Sequence, residues 1–424
     1  MKIYEIRDPV YGFISFNEWE REIINHPAFQ RSRRIRQLAF TDLIYPGATH
    51  TRFEHSIGVM HLATKMFDAI VQKDKNKRIL KDYIGYNEAG FAKDRQLVRL
   101  GGLLHDVGHA PFSHASEEIL PLNAEKEKPY KHEDYTVAII RGPLKEVIED
   151  HKFNRTNYNI SAEEVAALIE GNVSILGPRS FWKILISSQL DADRSDYLLR
   201  DSLHIGVKYG LYDIDRLLVT LTLGVQPKEE SEEVVLGISE GGWHVAESLI
   251  IARYQMFTQV YYHKTRRAYD YMLKEALKET IKCYPQPTEI GEFLKYDDYS
   301  MWNLMKEKNS EWFQRILKRD HIRMIAETKE KPLREEIGYI EQIKGRLEEK
   351  AIWFWEDTPE EVKSWYKIKE GEEIEIIEDN GKVSPLSIYS TIVNSLQRQF
   401  AKSRIYVKHE EKKKAKKIIN MNRG

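Results

Sequence analysis

Four of the chain's fourteen histidines fall within 28 residues, at His105, His109, His114 and His132. Three of them lie in one run, LLHDVGHAPFSH, with Asp106 beside the first. Imidazoles and carboxylates at such spacing are the side chains of metal binding and proton transfer. On a helix His105 and His109 would share a face. The stripe that leads into them, Leu97, Leu100, Leu103, Leu104 and Val107, is apolar at helical spacing. Polar groups emerging from a buried stripe are costly unless paired or bound to metal. Upstream, HTRFEHSIGVMHLA places His55 on the stripe of Val59, Leu62 and Met66. Downstream, SSQLDADRSDYLLRDS places Asp193 on a face with Ile186, Leu190 and Tyr197. Two imidazoles and two carboxylates can therefore converge from three helices, the alternative being a salt-bridged helical core.

A donor set of two imidazoles and two carboxylates without sulfur suits an octahedral divalent ion such as Mn²⁺, Fe²⁺, Ni²⁺ or Mg²⁺ better than a closed zinc site. The single cysteine, Cys283, excludes an intrachain disulfide and a Cys-built zinc site. Four protein ligands leave two positions open on such an ion. One can hold water and the other a phosphate oxygen, as metal-assisted phosphoester hydrolysis requires.

The elements that must position these groups are mostly helical. The first sixteen residues read as a β-hairpin, IYEI and FISF flanking RDPVYG, and Asn17 is placed to cap the next helix. Helical periodicity runs to about residue 220. Two β-like runs, LLVTLTLGV and VVLGI, flank an acidic turn, and a long helical stretch covers about 244–283. Trp302, Trp312, Phe313 and Ile316 anchor shorter helices, and EIEII and RIYV suggest a small α+β lobe at about 365–408. The tail from Lys412 has six basic residues and no acid, and reads as a solvated, frayed helix end.

The 424 residues balance 65 Lys+Arg against 66 Asp+Glu, which argues against a polycation wrapping nucleic acid and against an acidic disordered chain. No apolar run approaches the roughly 20 residues of a membrane span, and MKIYEIRDPVYG has no apolar signal-peptide core. The expectation is a cytoplasmic protein without membrane contact.

The pattern H…HD…D resembles the signature of the HD-domain phosphohydrolase superfamily. HTRFEHSIGV, LLHDVGHAPFSH, KHEDY and DADRSDYLLRD are similar to its deoxynucleoside triphosphate (dNTP) triphosphohydrolase branch. The resemblance runs from RDPVYG to RIYV. It implies a mainly α fold: an N-terminal β-hairpin at 1–16, an HD-domain helical catalytic core at 17–300, and a helical and α+β C-terminal lobe with a basic tail at 301–424.

The resemblance also implies roles. Metal ligands fall on His55, His105, Asp106 and Asp193. Catalytic groups fall on His109, His114, Glu117 and His132, with Glu117 three residues after His114 and able to orient its ring. Substrate contacts fall on Gln37, Arg52, Tyr197 and Asp201, and VYYHKTRR adds His263, Lys264 and Arg267. Asn25 stands where nucleotide-activated relatives carry an Asp, and the basic cluster that holds their second nucleotide is missing around Trp243, so activity without GTP or dGTP as activator, or activation by a different nucleotide, is expected. The implied reaction takes a dNTP and water to deoxynucleoside and triphosphate, with a divalent cofactor and a homo-oligomeric (dimer or tetramer) assembly. Two rival readings stay open. One is an HD hydrolase of another phosphoester, such as a nucleoside monophosphate, cyclic dinucleotide or alarmone. The other is a nucleic-acid-binding regulatory protein with a vestigial site.

Overall fold

A computed structural model describes residues 2–86, 88–228, 231–358, 373–396 and 401–420. The fold is mainly α, with small sheets at its edges. Strands β1 (Ile3–Asp8) and β2 (Gly12–Asn17) form the N-terminal hairpin, in register from Ile3↔Asn17 to Asp8↔Gly12. Asn17 then caps α1 (Glu18–Asn25): its side chain accepts from Glu20 N at 2.8 Å, and the Glu20 carboxylate accepts from Asn17 N at 2.9 Å.

Glu20 does more than close this capping box. It is 1% exposed and accepts from Arg99 Nε at 2.6 Å and from Gln96 Nε2 at 2.7 Å. Burial pushes its carboxyl up, but the Arg99 charge and these hydrogen bonds outweigh that and hold it below the usual range. The pair therefore contributes stability at neutral pH that is lost as pH falls through the lowered carboxyl value. Glu20→Gln leaves Arg99 buried without its counter-charge and is expected to cost about 3–5 kcal/mol. Thermal unfolding from pH 7 to pH 3 checks this, because the wild type must lose stability more steeply than the variant.

Two long helices carry the core: α2 (Arg52–Val71) and α3 (Phe91–Leu104). Val59, Leu62 and Met66 of α2, and Leu97, Leu100, Leu103 and Leu104 of α3, are fully buried in one cluster. α4 (His132–Arg141) packs its backbone on the turn after α3 at Gly108, where a Cβ would overlap Thr136 N and His132 O. α5 (Ala192–Ile205) crosses α2 at Gly58, where a Cβ would overlap the Asp196 carboxylate and the Arg200 guanidinium. These two close approaches bring the histidine-bearing elements to one point.

The expected third helix is broken. Gly177–Leu185 is a 3₁₀ segment, and α5 begins only at Ala192 because Asp191 caps it, accepting from Arg194 N at 2.7 Å. Ile186 and Leu190 are buried in the core but do not share a helix with Tyr197. α3 likewise stops at Leu104, so His105 and His109 lie in the turn beyond it rather than on one helical face.

Strands β3 (Leu221–Lys228) and β4 (Ser231–Ser239) pair, and the first four residues of the β-like run LLVTLTLGV instead end a helix, Ile214–Thr220. The long helical stretch after them divides into α6 (Trp243–Met256), a π-helical turn at Phe257–Tyr261, and α7 (Lys264–Thr280), capped by His263. Beyond it come β5 (Arg323–Glu327), β6 (Phe354–Asp357), β7 (Glu375–Ile377), β8 (Val383–Pro385) and β9 (Arg404–Val407). The runs EIEII and RIYV go to different sheets. β7 joins β4 in parallel, giving the order β8–β7–β4–β3, whereas β9 lies between β5 and β6. Parts of the expected 365–408 lobe, 365–372 and 397–400, lie outside the described residues.

The basic tail is not frayed. Lys412–Asn420 is a helix whose Ala415 and Ile419 are buried against Ile340, Ile343 and Leu347, and residues 421–424 lie outside the described chain. Among the described residues no helix is long and apolar enough to cross a membrane.

Candidate metal centre and catalytic cavity

His55 on α2 and His105 and Asp106 in the turn after α3 form one cluster, and Asp193 in the first turn of α5 lies against its two histidines. His55 Nε2 lies 3.0 Å from Asp193 Oδ1 and 3.5 Å from Asp106 Oδ2. His105 Nε2 lies 3.4 Å from Asp106 Oδ1 and 3.8 Å from Asp193 Oδ1. His105 Nδ1 donates to Gly102 O at 2.8 Å, and His55 Nδ1 donates to Asp196 Oδ2 at 2.9 Å. Those bonds fix both tautomers and turn both Nε2 atoms inward. Both Nε2 atoms are buried with no hydrogen-bond partner. Two orphaned imidazole nitrogens facing two carboxylates fit a divalent cation.

Without a cation the same geometry draws protons instead. Burial pushes the His55 imidazole down, but the close Asp193 and Asp196 carboxylates carry it up to about 10. Burial pushes Asp106 up, and His105, Arg52 and His109 pull it well below the usual carboxylate range. A cation entering the site displaces protons from the imidazoles.

The orienting layer reaches the N-terminal hairpin. Asp196 is gripped by Arg200, Nε to Oδ2 at 2.8 Å and Nη2 to Oδ1 at 2.9 Å. Arg200 Nη1 in turn donates to Asp8 Oδ2 at 2.8 Å, all three being buried. The sequence reading missed this chain. Its signal is the spacing Asp193, Asp196, Arg200, which keeps one helical face through a charge pair.

A second cluster adjoins the first. His114 Nδ1 lies 2.6 Å and His132 Nδ1 3.1 Å from the same atom, Glu117 Oε1. His109 and His132 stack, centroids 3.9 Å apart and planes 15° apart, and present Nε2 to Asp106 Oδ1 at 3.3 and 3.9 Å. His114 and Glu117 meet because Ser113–Ile119 is a 3₁₀ turn, which eclipses positions three apart. Phe112 and Ser113 lead into it at φ 60° and 56°, uncommon for side-chain-bearing residues. The bond from Phe112 N to Asp298 Oδ1 at 2.7 Å and that from Ser113 Oγ to Arg36 O at 2.7 Å hold them there. His109 is 1% exposed, and burial with the positive charge of Arg52 and His132 pushes its imidazole well below the usual value. The His114 side chain is 54% exposed.

Beside these clusters opens a cavity of about 570 Å³. It is lined by Gln37, Arg52, His114, Glu117, Asp193, Tyr197, Asp201 and Arg267 from the sequence reading, and by Arg194, Arg253, Tyr261, Arg266 and Lys274, which that reading did not name. Arg52 also ties the two parts together, Nη1 bonding Asp106 and Nε donating to Ser113 Oγ at 2.8 Å. Arg267 pairs with Asp357 at 2.7 Å. Asp201 is engaged on both oxygens, by His50 and by the Tyr261 hydroxyl. Two expected contacts fall elsewhere. His263 caps α7, its Nδ1 accepting from Thr265 N at 3.2 Å, and Lys264 lines a separate cleft of about 190 Å³ with His321, Arg323 and Lys412. His263 is spent on the cap between the π-helical turn and α7, whereas Lys264 opens α7 itself, three residues before Arg267, and lines the other cleft.

The chain is similar to known proteins over most of its length. The HD domain model matches residues 52–174, and the HD associated region model matches residues 212–421. An uncharacterized protein of Methanocaldococcus jannaschii is 33% identical over 316 residues, 74% of this chain and 58% of that protein. A Dictyostelium discoideum protein named deoxynucleoside triphosphate triphosphohydrolase SAMHD1 homolog is 27% identical over 311 residues, 72% of this chain and 55% of that protein. The chain thus spans little more than half the length of these curated relatives. The crystal structure of a hypothetical protein from Aquifex aeolicus superposes with a TM-score of 0.75 at 30% identity, covering 99% of this chain and 100% of that one. His55, His105 and Asp106 lie inside the matched HD domain, and α5 brings Asp193 to them from outside it. The chain belongs to the HD-domain phosphohydrolase superfamily, in the branch related to the dNTP triphosphohydrolases.

Proposed function

We propose that the chain hydrolyses a deoxynucleoside triphosphate to deoxynucleoside and inorganic triphosphate. The observation that carries this reading is one cavity whose wall joins Asp193 and His114 to Arg52, Arg194, Arg253, Arg266, Arg267 and Lys274. Several of these cations are paired with carboxylates, Arg266 with Asp270 and Lys274 with Glu118 among them, and a triphosphate is the polyanion that competes for them, its neutralisation being the main burden of phosphoryl chemistry. A divalent cation held by His55, His105, Asp106 and Asp193 supplies, when bound, Lewis-acid polarisation of a phosphoryl oxygen; Mn²⁺, Fe²⁺, Ni²⁺ or Mg²⁺ suits these donors better than Zn²⁺.

The chain's own residues do the rest. Arg52, fixed by Asp106 and Ser113, faces the α-phosphate end. Water attacks the α-phosphorus, the bond to the 5′-oxygen breaks, and His114 Nε2 delivers a proton to that oxygen. Glu117 receives His114 Nδ1–H and so aims Nε2 outward. His109 and His132, stacked behind the wall and turned to Asp106, back this end of the cavity without lining it. Tyr197, Gln37 and the Asp201–Tyr261 pair form the sugar end.

The test is a panel of dNTPs and NTPs with Mn²⁺ or Mg²⁺, with and without added dGTP, products resolved by anion-exchange chromatography. Intact triphosphate is expected from at least one dNTP without dGTP. Release of orthophosphate or pyrophosphate, or cleavage confined to monophosphates or cyclic dinucleotides, would move the assignment to another phosphoester.

A further inference from the structure

Asp201 lines the cavity, yet its oxygens are committed away from it. Oδ1 faces His50 Nε2 at 2.8 Å, and Oδ2 accepts from the Tyr261 hydroxyl at 2.6 Å. Asp201 is 1% and His50 2% exposed, and His50 is not part of the cavity wall. The His50 ring is clamped from one side by His204, stacked at 4.4 Å and 14°, whose Nε2 lies 3.1 Å from Glu54 Oε2. Its main-chain oxygen accepts from Gln37 N at 3.1 Å. Gln37 lines the cavity, and its Oε1 is buried with no hydrogen-bond partner.

The geometry points to His50 as a positioning residue for this end of the cavity, holding Gln37 through its main chain and Tyr261 through the Asp201 carboxylate. A tyrosine hydroxyl has one proton. Tyr261 gives its proton to a carboxylate, in a strong charge-assisted bond, so towards the cavity its oxygen can only accept. Gln37 Oε1 is likewise an acceptor. At Tyr261 and Gln37 Oε1 this end of the cavity therefore offers acceptors that take a hydroxyl or amino group, in the same cavity as the arginines and Lys274. Tyr261 stands at the end of the π-helical turn Phe257–Tyr261, where the widened backbone re-aims the side chain. Losing His50 removes one of the two donors to a buried carboxylate, frees the carboxylate to rotate, and releases the Tyr261 proton. The inference rests on the reading of the cavity as a nucleotide site.

Its test uses the full chain and whichever nucleotide the panel shows to be turned over. His50→Ala is expected to raise KM about tenfold with kcat changed less than about threefold, the scale of one lost hydrogen bond. His50→Gln, whose amide nitrogen can replace Nε2 as donor, is expected to restore most of the loss. In a double-mutant cycle, His50→Ala added to Tyr261→Phe should change KM by less than about twofold, because both remove the same arrangement. Binding of the unphosphorylated deoxynucleoside, measured by calorimetry, should follow the same order. That arm needs no turnover, so it separates failure of this inference from failure of the triphosphohydrolase reading. If His50→Ala does not fold, His204→Ala, which removes only the clamp, should raise KM in the same direction. A loss confined to kcat, additive effects in the cycle, or a Gln variant no better than Ala would overturn the inference.

Discussion

Asp193→Asn is expected to lower turnover roughly a thousandfold or more while the fold survives, because a directly held ligand should cost more than the 10–100-fold typical of an orienting one. Asparagine keeps the shape of the side chain and removes the charge that balances a cation between two imidazoles. The site has only two carboxylates, and Asp106 already neutralises Arg52. Asp193 is therefore the carboxylate whose charge is not spent on a protein cation at the centre, its Oδ1 lying 3.0 Å from His55 Nε2. The fold tolerates the change because the start of α5 depends on Asp191, which caps it, and the Asp193 side chain is 34% exposed. Asp196→Asn provides the graded comparison. It leaves the donor set intact but loosens His55 by removing the charge that accepts Nδ1–H, so a loss of about 10–100-fold is expected. Elemental analysis after identical metal loading, with kcat and circular dichroism on the same samples, checks both. Near wild-type turnover in Asp193→Asn with normal metal content would remove Asp193 from the ligand set.

What the sequence disclosed and what it hid follow from the range of each interaction. Polar residues on apolar helical stripes are visible because burial penalises them locally, and His55 on the stripe of Val59, Leu62 and Met66 is such a case. The same argument reached the other two elements through helices that stop short, since His105 lies beyond the end of α3 and Asp193 starts α5 without Ile186 and Leu190. Breaks in periodicity were less visible. Ile186 and Leu190 continue the apolar period up to Asp191, so nothing in the spacing marks where the cap starts α5; only the capping hydrogen bonds decide it. The partition of EIEII and RIYV between two sheets was invisible, since strand pairing between β4 and β7 joins residues more than 130 apart. Asp8, Arg200 and Asp196 escaped for a similar reason. Each looks like ordinary surface charge until the hairpin turn is folded against α5. His263 and Lys264 show the opposite error. Their types suit phosphate, but His263 is spent on the cap that starts α7 and Lys264 lines the separate cleft.

His114→Ala is expected to reduce kcat by about 10²–10⁴-fold while metal content and KM stay close to wild type. The leaving 5′-oxygen departs poorly as an alkoxide, so a proton must arrive in the transition state, and imidazole is the side chain suited to supply it near neutral pH. Three histidines compete for that role, and their surroundings differ. His109 is enclosed, and burial with the Arg52 and His132 charges pushes its imidazole well below the usual value, which disfavours the protonated ring a general acid needs. His132 is 17% exposed, with its Nε2 turned towards Asp106 at 3.9 Å. His114 is the most exposed of the three, lines the cavity, and has Nδ1 committed to Glu117 at 2.6 Å, which leaves Nε2 as the donating atom. The carboxylate favours the protonated ring, so Glu117→Ala should lose less activity than His114→Ala and move the alkaline limb of the pH–rate profile to lower pH. A phosphoester with a good leaving group, such as a nitrophenyl ester, separates proton donation from phosphate binding because it needs no acid. It should restore turnover in His114→Ala relative to wild type and leave His109→Ala and His132→Ala as impaired as with nucleotide. Rescue of His132→Ala instead would make that histidine the donor, with Glu117 serving it through the 3.1 Å contact rather than His114.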